Sequence, residues 1–366
     1  MKKMQKIIAV ALVLILALGM TACGGGDTKE DALKVGFIYI GSAKDGGFSE
    51  AQDNGRIAME KEFGGKVETT FLEEVPENAQ DVEAAAKNLM DEGCKVIVGT
   101  SYGYMDTLDK LAKEYPDNYF LHFSGNKKND TNFDNYFGAM EEARYLAGIV
   151  AGKTTKSNKL GYVAAFSNTE VNIGINAYTR GVQSVNPKAE VNVVYINSWV
   201  DAAKEKEAAE ALISQGCDVI AQHCDTTGPA LAAEAAGVYS IGYNLDKADV
   251  APKAVLTAPI WYHDKYYTSV IQSIMDNKFK PESYYGTLED GYIGLAPMTD
   301  LVSDDVKAEV EKAQKAIIAG DLAPFSGEIK YADGTLLCKE GQTLERADIW
   351  KTKGVIEGVK ATGAQK

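Results

Sequence analysis

The chain has 366 residues, 45% of them hydrophobic and 25% charged, enough for two domains that each bury a core. That balance excludes disorder and collagen-like architecture. A net charge of −14 argues against a general nucleic-acid binder, and three histidines leave little material for chemistry or metal sites built on several of them.

Lys2, Lys3 and Lys6 precede an uncharged apolar run at 7–20, a length that suits a secretory signal better than a membrane span. Met20-Thr21-Ala22-Cys23 and a Gly-rich stretch at 24–26 follow. Small residues before a lone Cys resemble a bacterial lipoprotein signal, in which 1–22 is removed and Cys23 becomes the lipidated N-terminus. An ordinary signal peptide with an incidental Cys is the plainer reading. Cleavage at Cys23 removes three lysines and leaves −17. Several acyl chains on one residue anchor a protein stably at the cell membrane, with residues 23–33 as tether and the body outside the cytoplasm.

Apolar runs and amphipathic stretches then alternate. Strands are expected at 34–40, 67–72, 95–100 and 119–123, and helices at 48–62, 81–92 and 105–114. The order recurs with strands at 159–165, 191–196, 218–222 and 238–242 and helices at 170–184, 202–215 and 228–236. Gly36 and Gly161 are 125 positions apart, and Cys94 and Cys217 are 123, so the halves run in near-constant register. Further on, 255–260 reads as a strand, 262–276 and 303–319 as helices, and 325–337 as a hairpin. The stretch 347–358 reads as helical or irregular, with a frayed end. Alternating strand and helix implies an α/β protein, two doubly wound parallel-sheet lobes in tandem. Cys94, Cys217, Cys224 and Cys338 form no C-x-x-C pair and are expected to be mostly buried free thiols.

No catalytic motif stands out: G-x-x-x-x-G-K-[ST] and H-E-x-x-H are both absent. The chain reads as a non-enzyme without cofactor or metal. The richer signal follows the carboxyl ends of the strands, where open α/β sheets bind ligands. Gly47 and Phe48 follow the first strand, and Tyr102 and Asp106 the third. The second half offers Phe166 and Asn168, then Trp199, Asp225, Asn244 with Asp246, and Trp261. Aromatic faces beside carboxylates and amides suit a flat heteroaromatic ligand, since one stacked ring contributes about 1–3 kcal/mol. No Arg or Lys cluster accompanies them, which argues against a phosphorylated ligand. Each residue also has a plain structural reading. Phe48 suits a helix-start staple, Trp199 and Trp261 suit packing, and Asp106 suits a charge against a helix dipole. Asn244 and Asp246 suit a turn, and Asp225 is evenly balanced between the two.

The segments DGGFSEAQDNGR (45–56), EARYLAGIVAGK (142–153), KLGYVAAF (159–166), INSWVDAAKE (196–205), GCDVIAQH (216–223) and GVYSIGYNLD (237–246) resemble the basic membrane protein family. These are substrate-binding lipoproteins of ABC transporters that include a purine nucleoside receptor. The resemblance implies a type I periplasmic-binding-protein fold, with a hinged cleft that captures a purine and delivers it to a permease. It sets Phe48 at the base-stacking position, Asp106 at a base-reading acid and Asp246 at a ribose-holding acid. Where nucleoside receptors carry a ribose-directed Lys, this chain has Trp261, which favours a free base such as adenine. The expected lobes are 34–156 with about 257–290, and 157–256 with about 291–366, in a monomer. A ligand-sensing lipoprotein docking on a receptor and a secreted nucleoside hydrolase remain as alternatives.

Overall fold

The computed structural model describes residues 32–364, so the signal segment and Cys23 lie outside the described residues. The first sheet is built from β1 (Leu33–Ile38), β2 (Val67–Leu72), β3 (Val96–Gly99), β4 (Tyr119–Phe123), β5 (Phe133–Gly138) and the distant β12 (Tyr284–Gly286), in the order β12-β5-β4-β3-β1-β2. Every pairing is parallel. Helices α1 (Phe48–Phe63), α2 (Ala79–Asp91) and α3 (Met105–Glu114) make the crossovers. The central strand β3 is buried along its whole length, the condition that makes a parallel strand read as a continuous apolar run.

The second sheet repeats the plan with β6 (Lys159–Ala164), β7 (Glu190–Tyr195), β8 (Val219–His223), β9 (Tyr239–Ile241), β10 (Val255–Thr257) and the C-terminal β16 (Val359–Thr362), in the order β10-β9-β8-β6-β7-β16. Its crossovers are α5 (Thr169–Val185), α6 (Ala202–Ser214) and α7 (Gly228–Ala236). The shared suborders β4-β3-β1-β2 and β9-β8-β6-β7 are the sequence repeat made visible. Gly93 and Gly216 close equivalent helices at φ of 92° and 91°, a left-handed conformation that releases the chain into a buried strand. The expected α/β class of two doubly wound lobes therefore holds.

Three segments join the lobes: the step from β5 into α4 (Met140–Thr154), β11 (Pro259–Trp261) leading to α8 (His263–Met275), and β13 (Ile293–Leu295) leading to α9 (Asp304–Ile318). β11 and β13 pair antiparallel and form a ribbon between the sheets. The run expected as one strand over 255–260 is thus two, broken at Ala258 where the chain leaves the second sheet. The stretch 347–358 holds a single helical turn, α10 (Arg346–Ile349), after a short hairpin of β14 (Ile329–Lys330) and β15 (Leu336–Cys338). The end beyond it is β16, in parallel register on β7, rather than a frayed tail.

Periodicity misses β5 and α4. Buried Asp134 and Asn135 interrupt the apolar run of β5, and α4 is buried on nearly all sides, so neither shows a period. α4 packs backbone to backbone on α5, which ties 140–154 by contact to the second lobe. A Cβ at Gly148 would overlap the carbonyl of Tyr178, and one at Gly181 the carbonyl of Tyr145. Gly148→Ala is therefore expected to cost about 2–3 kcal/mol through forced separation of the helices, read as a lower urea midpoint.

Candidate functional site

The carboxyl ends of both sheets face each other across the lobe boundary, and the loops that follow the strands meet there. After β1, Asp45 accepts from the backbone amides of Gly47 (2.8 Å), Ser49 (2.8 Å) and Glu50 (3.1 Å), which fixes the start of α1. Gly46 adopts φ of 77°, and the backbone of Gly47 lies directly against Asp225 of the second lobe. A Cβ at Gly47 would overlap the Asp225 carbonyl and stand 2.6 Å from its Cβ, so only glycine permits this approach.

Asp225 leads into a hydrogen-bonded chain. Its Oδ1 accepts from Asn244 Nδ2 (2.8 Å), and Asn244 Oδ1 accepts from the indole Nε1 of Trp261 (3.2 Å). Trp261 is 6% exposed and stacks on His263, with ring planes 9° apart. Its edge-to-face contact with Phe123 (5.3 Å) continues to Phe48, whose ring meets Phe123 at 5.4 Å. An aromatic wall from the first lobe and the connecting ribbon thus borders a carboxyl of the second lobe. Burial pushes the Asp225 carboxyl well above the usual carboxylate range, with Asp45 and Glu205 adding to the rise. Burial also drives His263 down to about 3, so that ring is neutral.

A second aromatic group lines the same lobe. Phe166 and Trp199 lie 5.5 Å apart, Trp199 and His223 6.2 Å, and His223 and Tyr243 4.6 Å. Arg144 of α4 lies 3.8 Å over the Tyr243 ring and donates from Nη1 to the Gln222 carbonyl (2.7 Å). Burial first, and the Arg144 charge second, lower His223 to about 4.

Of the residues singled out on sequence, the structure gathers Gly47, Phe48, Asp225 and Trp261, with Asn244 as their link. Trp199 joins through its backbone, accepting from the Asp225 amide (3.0 Å), while its ring is 37% exposed. The side chains of four others stay outside the cluster. Tyr102 is 65% exposed. Asp106 is an exposed first-turn acid of α3 that pairs with Lys127 (2.7 Å). Asn168 caps α5 by accepting from the Val171 amide (2.9 Å), and Asp246 closes a turn on the Ala248 amide (2.9 Å). For Asp106, Asn168 and Asp246 a local partner takes the side chain. Sequence reasoning missed Phe123, Lys247 and Arg144: a lysine in a turn reads as solvated, and a lone arginine on an apolar helix has no pattern. Cys94, Cys217, Cys224 and Cys338 are buried free thiols, as expected. An open depression of about 410 Å³ lies between β13 and α9, with Tyr262, Leu288, Val310 and Glu311 in its lining. It gathers none of the residues singled out on sequence.

With this geometry in view, the sequence profile of the Bmp family, described as PnrA-like ABC transporter substrate-binding proteins, matches residues 32–324. A purine-binding protein of Brucella abortus is 40% identical over 92% of this chain and 95% of its own length. A putative ABC transporter glucose-binding protein of Haloferax volcanii is 34% identical over 84% of this chain and 78% of its own. The solved ABC transporter solute-binding protein of Conexibacter woesei superposes with a TM-score of 0.69 at 23% identity, covering 80% of this chain and 98% of that one. That likeness establishes the shared fold.

The connecting region also holds a buried acid. Glu141, in the first turn of α4, faces the Tyr285 hydroxyl at 3.5 Å, and burial pushes its carboxyl up to about 7. A carboxyl raised on folding contributes stability below its unfolded value near 4.5 and loses it as pH rises through about 7. Wild type is therefore expected to lose up to ~3 kcal/mol relative to Glu141→Gln between pH 5 and pH 8, measured by urea unfolding of both at each pH.

Proposed function

The chain belongs to the Bmp family of PnrA-like ABC transporter substrate-binding proteins, and on that premise we propose that it captures a purine between its lobes and delivers it to a membrane permease. The ligand is a purine nucleobase, adenine-like, with the nucleoside as the weaker form. The protein releases it unchanged. Lipid on Cys23 would hold the body to the extracytoplasmic side of the membrane.

The observation that carries this reading is the chain Asp225–Asn244–Trp261. One amide sets both a flat aromatic wall and a carboxyl, so a planar ring against Trp261 and Phe48 would present its N–H edge to Asp225. Trp261 supplies no ammonium for ribose hydroxyls, which is why the free base is preferred. Phe166 and Trp199 offer a further aromatic face from the second lobe. Closure would bury the ligand, and a ligand that contacts both lobes biases the equilibrium toward the closed form. The new surface made by closure is what a permease could recognise.

Isothermal titration of the refolded, unlipidated body with adenine, hypoxanthine, adenosine, inosine and glucose tests this. Adenine should bind tightly, with adenosine at least tenfold weaker, about 1.4 kcal/mol. Trp261→Lys should narrow or reverse that ratio. A preference for the nucleoside would remove the role given to Trp261, and glucose binding without any purine binding would overturn the ligand class.

A further inference from the structure

Lys247, three residues beyond the Asn244 that anchors Trp261, is 1% exposed, among the largest fully buried side chains of the protein. A buried ammonium is costly unless acceptors meet its protons. Nζ has two, and they come from different lobes: the carbonyl of Gly46 in the first, and the carbonyl of Asp225, 3.2 Å away, in the second. Burial lowers the pKa of this ammonium, and the acids that oppose the shift are likewise divided, with Asp225 and Glu205 in the second lobe and Asp45 in the first. Parting the lobes would take away the Gly46 carbonyl and Asp45 together.

The partner surface is shaped for this contact. Asp45 pins the Gly46–Gly47 loop through three backbone amides, which holds the Gly46 carbonyl in place. The missing side chain at Gly47 lets that loop reach the Asp225 backbone. Lys247 therefore touches the loop of Asp225 from its own lobe and the loop before Phe48 from the other. These are the two loops that would grip the ligand.

We propose that Lys247 is the positioning residue of the closed cleft, its ammonium tying the Gly46 carbonyl to the Asp225 loop and so setting both the closed state and the placement of Asp225. The inference rests on the capture-by-closure reading above. It differs from a ligand contact: Lys247 is occupied by backbone carbonyls and acts through the loops it joins.

Single-molecule energy transfer between dyes on Asn126→Cys and Val200→Cys, exposed positions on opposite lobes, reads the closed fraction directly. Cys23→Ser and the four buried thiols leave labelling selective. Lys247→Met is expected to lower the closed fraction at least tenfold, with and without adenine, and to speed adenine release by a similar factor. Lys247→Gln, which keeps a polar donor but loses the ammonium's reach to both carbonyls, should lower it in the same direction and decides the matter if Lys247→Met does not fold. A closed fraction in both variants within twofold of the parent would overturn the proposal, and so would a parent that never closes. If the parent binds no purine, the purine reading fails alone, because the ligand-free closed fraction still tests Lys247.

Discussion

Asp225 of the second lobe lies against the backbone of Gly47 in the first, with no room for a methyl group between them. A carboxyl brought that far from water needs partners, and the surrounding structure supplies them in order of distance. Asn244 bonds its Oδ1, Trp261 bonds Asn244, and Phe123 and His263 hold the indole in plane. Glu205, another buried acid of the same lobe, accepts from the amide and hydroxyl of Thr226 (3.0 and 2.7 Å). The position of the aromatic wall is thus a consequence of how one acid is satisfied.

The two lobes are the same physical solution used twice. In each, a glycine with positive φ ends the second helix of the repeat and admits a fully buried strand, and the third strand pairs beside the first. What breaks the symmetry is the connection. α4 is fastened to α5 by reciprocal glycine contacts, while α8 packs on α1 and β12 joins the first sheet, so the chain passes between lobes three times. Two of the three crossings run through the paired strands β11 and β13, so they leave one lobe for the other side by side.

The same surroundings explain why the titratable groups near the boundary are shifted. Asp225, Glu141, His223 and His263 all move in the direction that favours their neutral forms, and in every case burial is the first cause. The lobe boundary therefore holds these acids and imidazoles largely uncharged. Two cations nearby are already engaged, Lys247 by the Gly46 and Asp225 carbonyls and Arg144 by the Gln222 carbonyl and the Tyr243 ring.

Sequence alone determined the class of the fold, because period-two and period-3.6 patterns and the 123- to 125-residue repeat are local properties that survive without coordinates. It also pointed to the strand ends, and the structure brings Phe48, Asp225 and Trp261 from those ends into one cluster. Tertiary structure decided the rest. Whether Asp106, Asn168 and Asp246 reach the cleft or serve their own helices and turns depends on side-chain partners that no spacing encodes, and here Lys127, the Val171 amide and the Ala248 amide hold them. β5 and α4 had no legible period because burial on every side erases the contrast between faces. β16 found its place only because β7 offered an open edge. Lys247 shows the limit most plainly: its charge is ordinary in the sequence, and only the meeting of the lobes adds the Gly46 carbonyl, 201 residues away, to the acceptor its own lobe provides.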